Sequence, residues 1–242
     1  MMKKLIVFAL FSLGTIILLG GCGALGGHHV ATGNVITRTF EVDDFTAFST
    51  GGNRDVIFRQ GEAGSVTITM QESLFDVLRI DVRGGTLSIG FEGSVTGASR
   101  QRVYVYAPRL LETVTLSGSV NATANDYAIF ANDVAVATSG SVSADFSLDV
   151  AQLSISASGS SALEFYGSAG TVDIQRSGSG SISAFDLAAR NVSISRSGSS
   201  NVDISVSDDL TVNSSGSGRV RYRGNPGVSI RSSGSGTVVR VD

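Results

Sequence analysis

From Glu112 to the C-terminus, apolar and polar residues alternate in short runs around a repeated Ser-Gly-Ser triplet. The triplet occurs seven times, centred on Gly118, Gly140, Gly159, Gly178, Gly198, Gly216 and Gly234, at spacings of 22, 19, 19, 20, 18 and 18. Flanking residues keep step with it. Four positions before each glycine stand Val114, Val136, Ile155, Ile174, Ile194, Val212 and Ile230. Four positions after stand Ala122, Ala144, Leu163, Ile182, Val202, Val220 and Val238. Six after stand Ala124, Phe146, Phe165, Ala184, Ile204 and Tyr222, until Arg240 breaks the series in the last copy. A period of two over such runs predicts strands with one face turned inward. No stretch of these repeats carries a helical period.

A β unit of this size cannot bury its apolar face alone, but stacked copies can. The pattern therefore predicts an all-β fold, a single-stranded parallel β-helix (β-solenoid) with about three short strands per coil. Glycine suits a corner that needs positive φ. The neighbouring serines are expected to hydrogen-bond to one another or to corner backbone. Arg240, at the last coil, would guard an open edge. An antiparallel sandwich or barrel also has short strands and regular turns. It does not require the same residue at the same corner in seven consecutive units.

Residues 35–110 are β-rich with weaker periodicity. Candidate strands are Val35–Val42, Asp55–Gln60, Ser65–Met70, Thr86–Phe91 and Arg102–Ala107. No linker-like break separates them from the clear repeats of 112–242. The segment 35–242 thus reads as one domain with irregular β-rich N-terminal coils. Residues 1–21 have a signal peptide's layout: Lys3 and Lys4, then the apolar run Leu5–Leu19, too short for a comfortable membrane span. Leu19-Gly20-Gly21-Cys22 resembles the lipobox of bacterial lipoproteins. That resemblance implies cleavage before Cys22, lipid on its thiol and anchoring to a membrane through acyl chains. With Gly23 rather than Asp after the cysteine, it also implies outer-membrane sorting in the cell envelope. Residues 22–34, with His28 and His29, read as the lipidated cysteine and a flexible tether.

Composition narrows the chemistry. The chain of 242 residues has 30 Gly, one Cys, two His and a formal charge of -3. Lys3 and Lys4 are its only lysines, so the chain from Cys22 carries 16 Arg against 21 Asp and Glu, a balance of -5. Nucleic acid is not an expected partner of such a chain. A disulfide scaffold, a multi-cysteine zinc site and a histidine-based catalytic centre lack their residues. No cofactor is expected, and no metal site is assigned.

Three stretches carry a family resemblance. They are FSTGGNRDVIFRQGEAGSVTI (Phe48–Ile68), LRIDVRGGTLSIGF (Leu78–Phe91) and VYVYAPRLLETVTLSGSV (Val103–Val120), followed by the Ser-Gly-Ser ladder. Together they resemble the putative auto-transporter adhesin head GIN domain family, a domain of unknown function, over about residues 40–242. The resemblance implies a β-solenoid in the bacterial envelope. It carries over no catalytic residue.

Three groups of side chains are candidates for chemistry. Asp145, Glu164 and Asp203 stand five after their glycines, an odd offset that points outward. Carboxylates on adjacent coils could bind a cation or act as an acid/base pair in a carbohydrate-active β-helix enzyme. A merely solvated face explains them as well. Arg176 and Arg196 stand two before their glycines on adjacent coils and could grip an acidic ligand. As outward arginines they would otherwise serve solubility. The serine ladder could meet a sugar or a repetitive surface, or only brace the corner. Ser-Gly-Ser is not the Gly-x-Ser-x-Gly of a nucleophile elbow. The sequence therefore points to a non-enzymatic, lipid-anchored envelope protein presenting a rigid solenoid for binding, with a glycan or envelope protein as partner. A β-helix enzyme and a purely structural lipoprotein are the alternatives.

Overall fold

The computed structural model describes residues 27–126 and 129–242. The signal-peptide segment 1–21 and Cys22 lie outside the described residues. The strands are β1 (His28–Val30), β2 (Val35–Glu41), β3 (Ala47–Thr50), β4 (Asn53–Gln60), β5 (Ser65–Gln71), β6 (Leu78–Arg83), β7 (Thr86–Phe91), β8 (Ser94–Thr96) and β9 (Gln101–Ala107). Then come β10 (Leu111–Ala124), β11 (Phe130–Ala157), β12 (Ser160–Arg176), β13 (Ser179–Arg196), β14 (Ser199–Ser215), β15 (Arg219–Arg223), β16 (Gly227–Ser233) and β17 (Thr237–Arg240). A 3-10 turn, Glu72–Asp76, follows β5. Among the described residues no helix is long and apolar enough to cross a membrane.

The C-terminal part is a parallel β-solenoid of about six turns, with irregular strands before it. β10 to β14 stack in parallel, each on the next, and β15 and β16 both lie on β14. The register is the one the repeat predicts. Ala122, Ala144, Leu163, Ile182, Val202, Val220 and Val238 pair in succession, coil on coil. All but the last are buried. Phe146 and Phe165 form the centre of an aromatic run with Phe58 and Phe130, at centroid separations of 5.6–6.3 Å. Stacking of one coil on another buries these columns, so no single coil carries its own core.

The corners explain the glycine ladder. All seven glycines have positive φ, from 79° to 106°. Each also lies against the corner of the coil before it. A Cβ on Gly140 would stand 2.6 Å from the Gly118 carbonyl oxygen, and one on Gly159 would stand 2.7 Å from that of Gly140. Backbone bonding continues through the bend: the Ser179 and Ser199 amides donate to the carbonyls of Gly159 and Gly178. Ser199 and Ser217 hydroxyls meet at 3.1 Å, one rung of the expected serine ladder.

One coil was hidden in the irregular region. β3 and β4 pair in parallel with the two halves of β10, which places Gly52 under Gly118. Phe48 and Val56 occupy the apolar positions four before and four after Gly52, and both are buried. β7 and β9 lie on the other side of this coil, on β3 and β4 respectively. Residues 61–107 are thus a detour: the chain leaves the coil, builds the N-terminal end, and returns at β10 to the opposite side. Antiparallel strands close that end, β5 on β9, β2 on β5 and β6 on β7. They cover backbone that an open edge would expose.

The predicted tether needs correction at its C-terminal end. His28–Val30 is a strand, paired in parallel with Ser94–Thr96. The His28 ring lies 3.2 Å from both the Ser94 and Thr96 hydroxyls. Among the described residues nothing covers the other end of the stack. Val228 and Ile230 are exposed on the last coil, and Arg240 donates there to Asn225 Oδ1 at 3.2 Å.

Candidate functional site

The outer column five after each corner contains, in pairing order, Thr123, Asp145, Glu164, Ser183, Asp203, Arg221 and Val239. The alternation of the strands turns these side chains away from the core. Asp145 and Glu164 are direct neighbours on adjacent coils. Partial burial raises the Asp145 pKa, and the facing Glu164 charge raises it further. Glu164 accepts a hydrogen bond from the Tyr166 hydroxyl at 2.7 Å. That bond, helped by desolvation and the nearby acids, pushes the Tyr166 pKa up to about 12.

Asp203 does not join this pair. Ser183 separates it from Glu164. Both Asp203 oxygens are taken by Arg221, with Nε at 2.8 Å and Nη2 closing the fork. Among the described residues no three His, Cys, Asp or Glu side chains are grouped to hold a metal ion. Phe185, two residues beyond Ser183, lies under two guanidinium groups: Arg223 at 4.2 Å and Arg221 at 5.5 Å from its ring centre. The result is one outer surface with carboxylates and Tyr166 at one side and Phe185 with two arginines at the other. Aromatic faces beside hydrogen-bonding and charged groups suit a polar ligand with apolar C–H faces, such as a sugar.

Neutralising Asp145 tests the electrostatics of this surface. A carboxylate whose folded pKa is raised binds its proton more tightly when folded. The contribution of Asp145 to stability should therefore fall as pH rises from the ordinary aspartate value through the raised one. Asp145→Asn is expected to melt higher than the native protein at pH 7, by roughly a few tenths of a kcal/mol. The difference should vanish in thermal melts taken below the ordinary aspartate range.

Arg176 and Arg196 are not part of any outer face, which corrects their reading as ligand-gripping or solubilising residues. Each is only 3% exposed. Arg176 donates to the Ser161 hydroxyl at 2.5 Å and to the carbonyls of Ser161 and Ser179. Arg196 donates to the carbonyls of Ser200 at 3.0 Å and Gly218 at 2.5 Å. Each guanidinium thus spans the inside of its corner and ties two coils together. A Cβ at Gly180 would collide with Arg176, and one at Gly236 with Arg196. The even offset of these arginines has the same parity as the inward aliphatic columns, a signal present in the sequence. A third buried arginine, Arg54, lies at the hidden Gly52 corner, and the sequence reading missed it with the coil that carries it. The seven corner glycines themselves are structural.

Comparison with known proteins follows the architecture. No curated protein matches the chain. A crystal structure of a putative adhesin from Parabacteroides merdae is 26% identical, with a TM-score of 0.66, covering 89% of this chain and 99% of that one. One of a putative adhesin from Bacteroides fragilis is 18% identical, with a TM-score of 0.75, covering 88% and 99%. One of a putative lipid binding protein from Parabacteroides distasonis is 21% identical, with a TM-score of 0.69, covering 89% and 100%. The family profile described as putative auto-transporter adhesin, head GIN domain matches residues 44–226, which takes in the Gly52 coil, the N-terminal detour and the stack through β15. The chain belongs to the putative auto-transporter adhesin, head GIN domain family.

Proposed function

We propose that this protein is a non-enzymatic, lipid-anchored envelope protein that uses the outer face around Tyr166 and Phe185 to bind a glycan. The observation that carries the reading is the combined surface of Asp145, Glu164, Tyr166 and Phe185 on consecutive coils. Stacked coils hold these groups at fixed spacing, so little ordering cost remains at binding. Membership of a family described as adhesins supports a binding role. Cys22 supplies the anchor in this reading, and the solenoid projects from the membrane, with the outer membrane as its site.

The test is a glycan-array and envelope pull-down screen, run with and without Ca²⁺. A saturable glycan hit that weakens at least tenfold in Tyr166→Ala/Phe185→Ala is the expected result. No glycan hit from folded protein would favour the purely structural role. Captured envelope protein without glycan binding would replace the ligand class. For the anchor, Cys22→Ser should release the protein from the membrane fraction and abolish labelling by radioactive palmitate.

A second reading rests on the raised pKa of Asp145 beside Glu164: an acid/base pair acting on a polysaccharide. It requires glycan turnover that Asp145→Asn or Glu164→Gln abolishes. An inert protein on a broad polysaccharide panel rules it out.

A further inference from the structure

A groove of about 520 Å³ opens at the N-terminal end of the stack, between the Gly51–Gly52 corner and the excursion joining β7 to β9. Its size falls within the range of small-molecule sites, roughly 300–1,000 Å³. Glycine backbone, Phe91, Val95 and Ala98 form much of its wall, and among the described residues no Asp or Glu lines it.

Arg54 is also part of this lining, though its side chain is only 2% exposed. Its Nε donates to Gln101 Oε1 at 3.0 Å. Its Nη1 donates to the carbonyls of Gly51 at 2.6 Å and Ile89 at 2.8 Å, and to the Thr50 hydroxyl. The guanidinium carbon lies 5.0 Å from the Phe91 ring centre. Every one of these partners is neutral. Among the described residues Nη2 donates to no protein group, and it is not sealed from solvent. Burial lowers the Arg54 pKa to about 10, so the group is still charged at neutral pH. A buried cation without a carboxylate is costly. Arg176 and Arg196 differ here, since their idle Nε atoms are sealed away.

We propose that this groove binds a pyranose bearing a carboxylate, with the carboxylate on Arg54 Nη2 and the sugar's C–H face against Phe91 and Val95. A carboxylate supplies the missing countercharge, and the apolar wall selects a ring over a bare ion. The site is separate from the Tyr166 face and stands or falls apart from it.

The test is amide NMR titration of the purified protein with sodium glucuronate, galacturonate and N-acetylneuraminate, with glucose and acetate in parallel. At least one acidic sugar should saturably shift the amides of Gly51, Gly52, Gly90 and Gly97, at least tenfold more tightly than glucose or acetate. Phe91→Leu, which keeps an apolar side chain but no ring, should still melt cooperatively and weaken binding at least tenfold. Arg54→Lys should weaken it as much, and if that variant does not fold, Phe91→Leu alone decides. The proposal is overturned by no shift with any of the three acids, by acetate binding as tightly as the sugars, or by unchanged affinity in folded Phe91→Leu.

Discussion

Gly140→Ala is expected to lose about 2–5 kcal/mol of stability, enough to unfold a marginal protein at 37 °C. Two independent costs meet at this residue. Its φ of 89° costs an L-residue about 1–2 kcal/mol. Its Cβ would also stand 2.6 Å from the Gly118 carbonyl oxygen and 3.0 Å from the Gly118 nitrogen. Backbone cannot swing aside as a flexible side chain can, so the coils must separate locally, an overpacking cost of about 1–3 kcal/mol. Gly52 is the control within the same molecule. It has a similar φ of 93°, but a Cβ there meets nothing within 4 Å. Gly52→Ala should therefore show only the conformational cost of about 1–2 kcal/mol. Urea melts of the two variants measure the difference. Equal losses would mean that the corners are set by φ alone and that close stacking adds nothing.

The second large effect is expected in the aromatic run. Phe146 is fully buried and touches Phe58, Phe130 and Phe165. It therefore joins the N-terminal Gly52 coil to the regular stack. Phe146→Ala should cost about 3–5 kcal/mol, through lost burial and the cavity left behind. Phe165→Ala should cost a similar amount but leave the Phe58 contact intact. Hydrogen exchange distinguishes them: Phe146→Ala should loosen β3 and β4 more than Phe165→Ala does. Unchanged protection of β3 and β4 in Phe146→Ala would show that the N-terminal coil is held by other contacts.

The solenoid was legible because its columns repeat residue types at fixed offsets from a glycine. The Gly52 coil escaped because its corner is Gly-Gly-Asn rather than Ser-Gly-Ser, although Phe48 and Val56 keep the offsets. The detour through 61–107 also hid it, since a coil whose neighbour lies far along the chain has no local period. Arg176 and Arg196 show the opposite failure. Their parity placed them inward, and the usual cost of burying charge argued outward. Carbonyls of neighbouring coils settle the conflict by accepting their hydrogen bonds. Asp145 and Glu164 were placed correctly on one outer face, because their offset is odd and their coils are adjacent. Phe185 and Tyr166 were missed as site residues, although both stand seven after their glycines on adjacent coils, because the reading followed only the apolar and the acidic columns. The strand at His28–Val30 was missed because its partner, Ser94–Thr96, is a three-residue strand inside the detour.

The most direct test of the whole account is removal of one coil. Deleting residues 160–178, the 19 residues after Gly159 through Gly178, joins one corner to the next and removes Glu164 and Tyr166. Stacked coils contact only their neighbours, so the shortened chain should still fold. The expected result is a cooperative β-type thermal melt at a lower midpoint, together with loss of the glycan binding that Tyr166→Ala/Phe185→Ala weakens in the native protein. A chain that fails to fold would contradict the coil-by-coil scaffold. A folded chain that keeps that Tyr166- and Phe185-dependent binding would contradict the placement of the site.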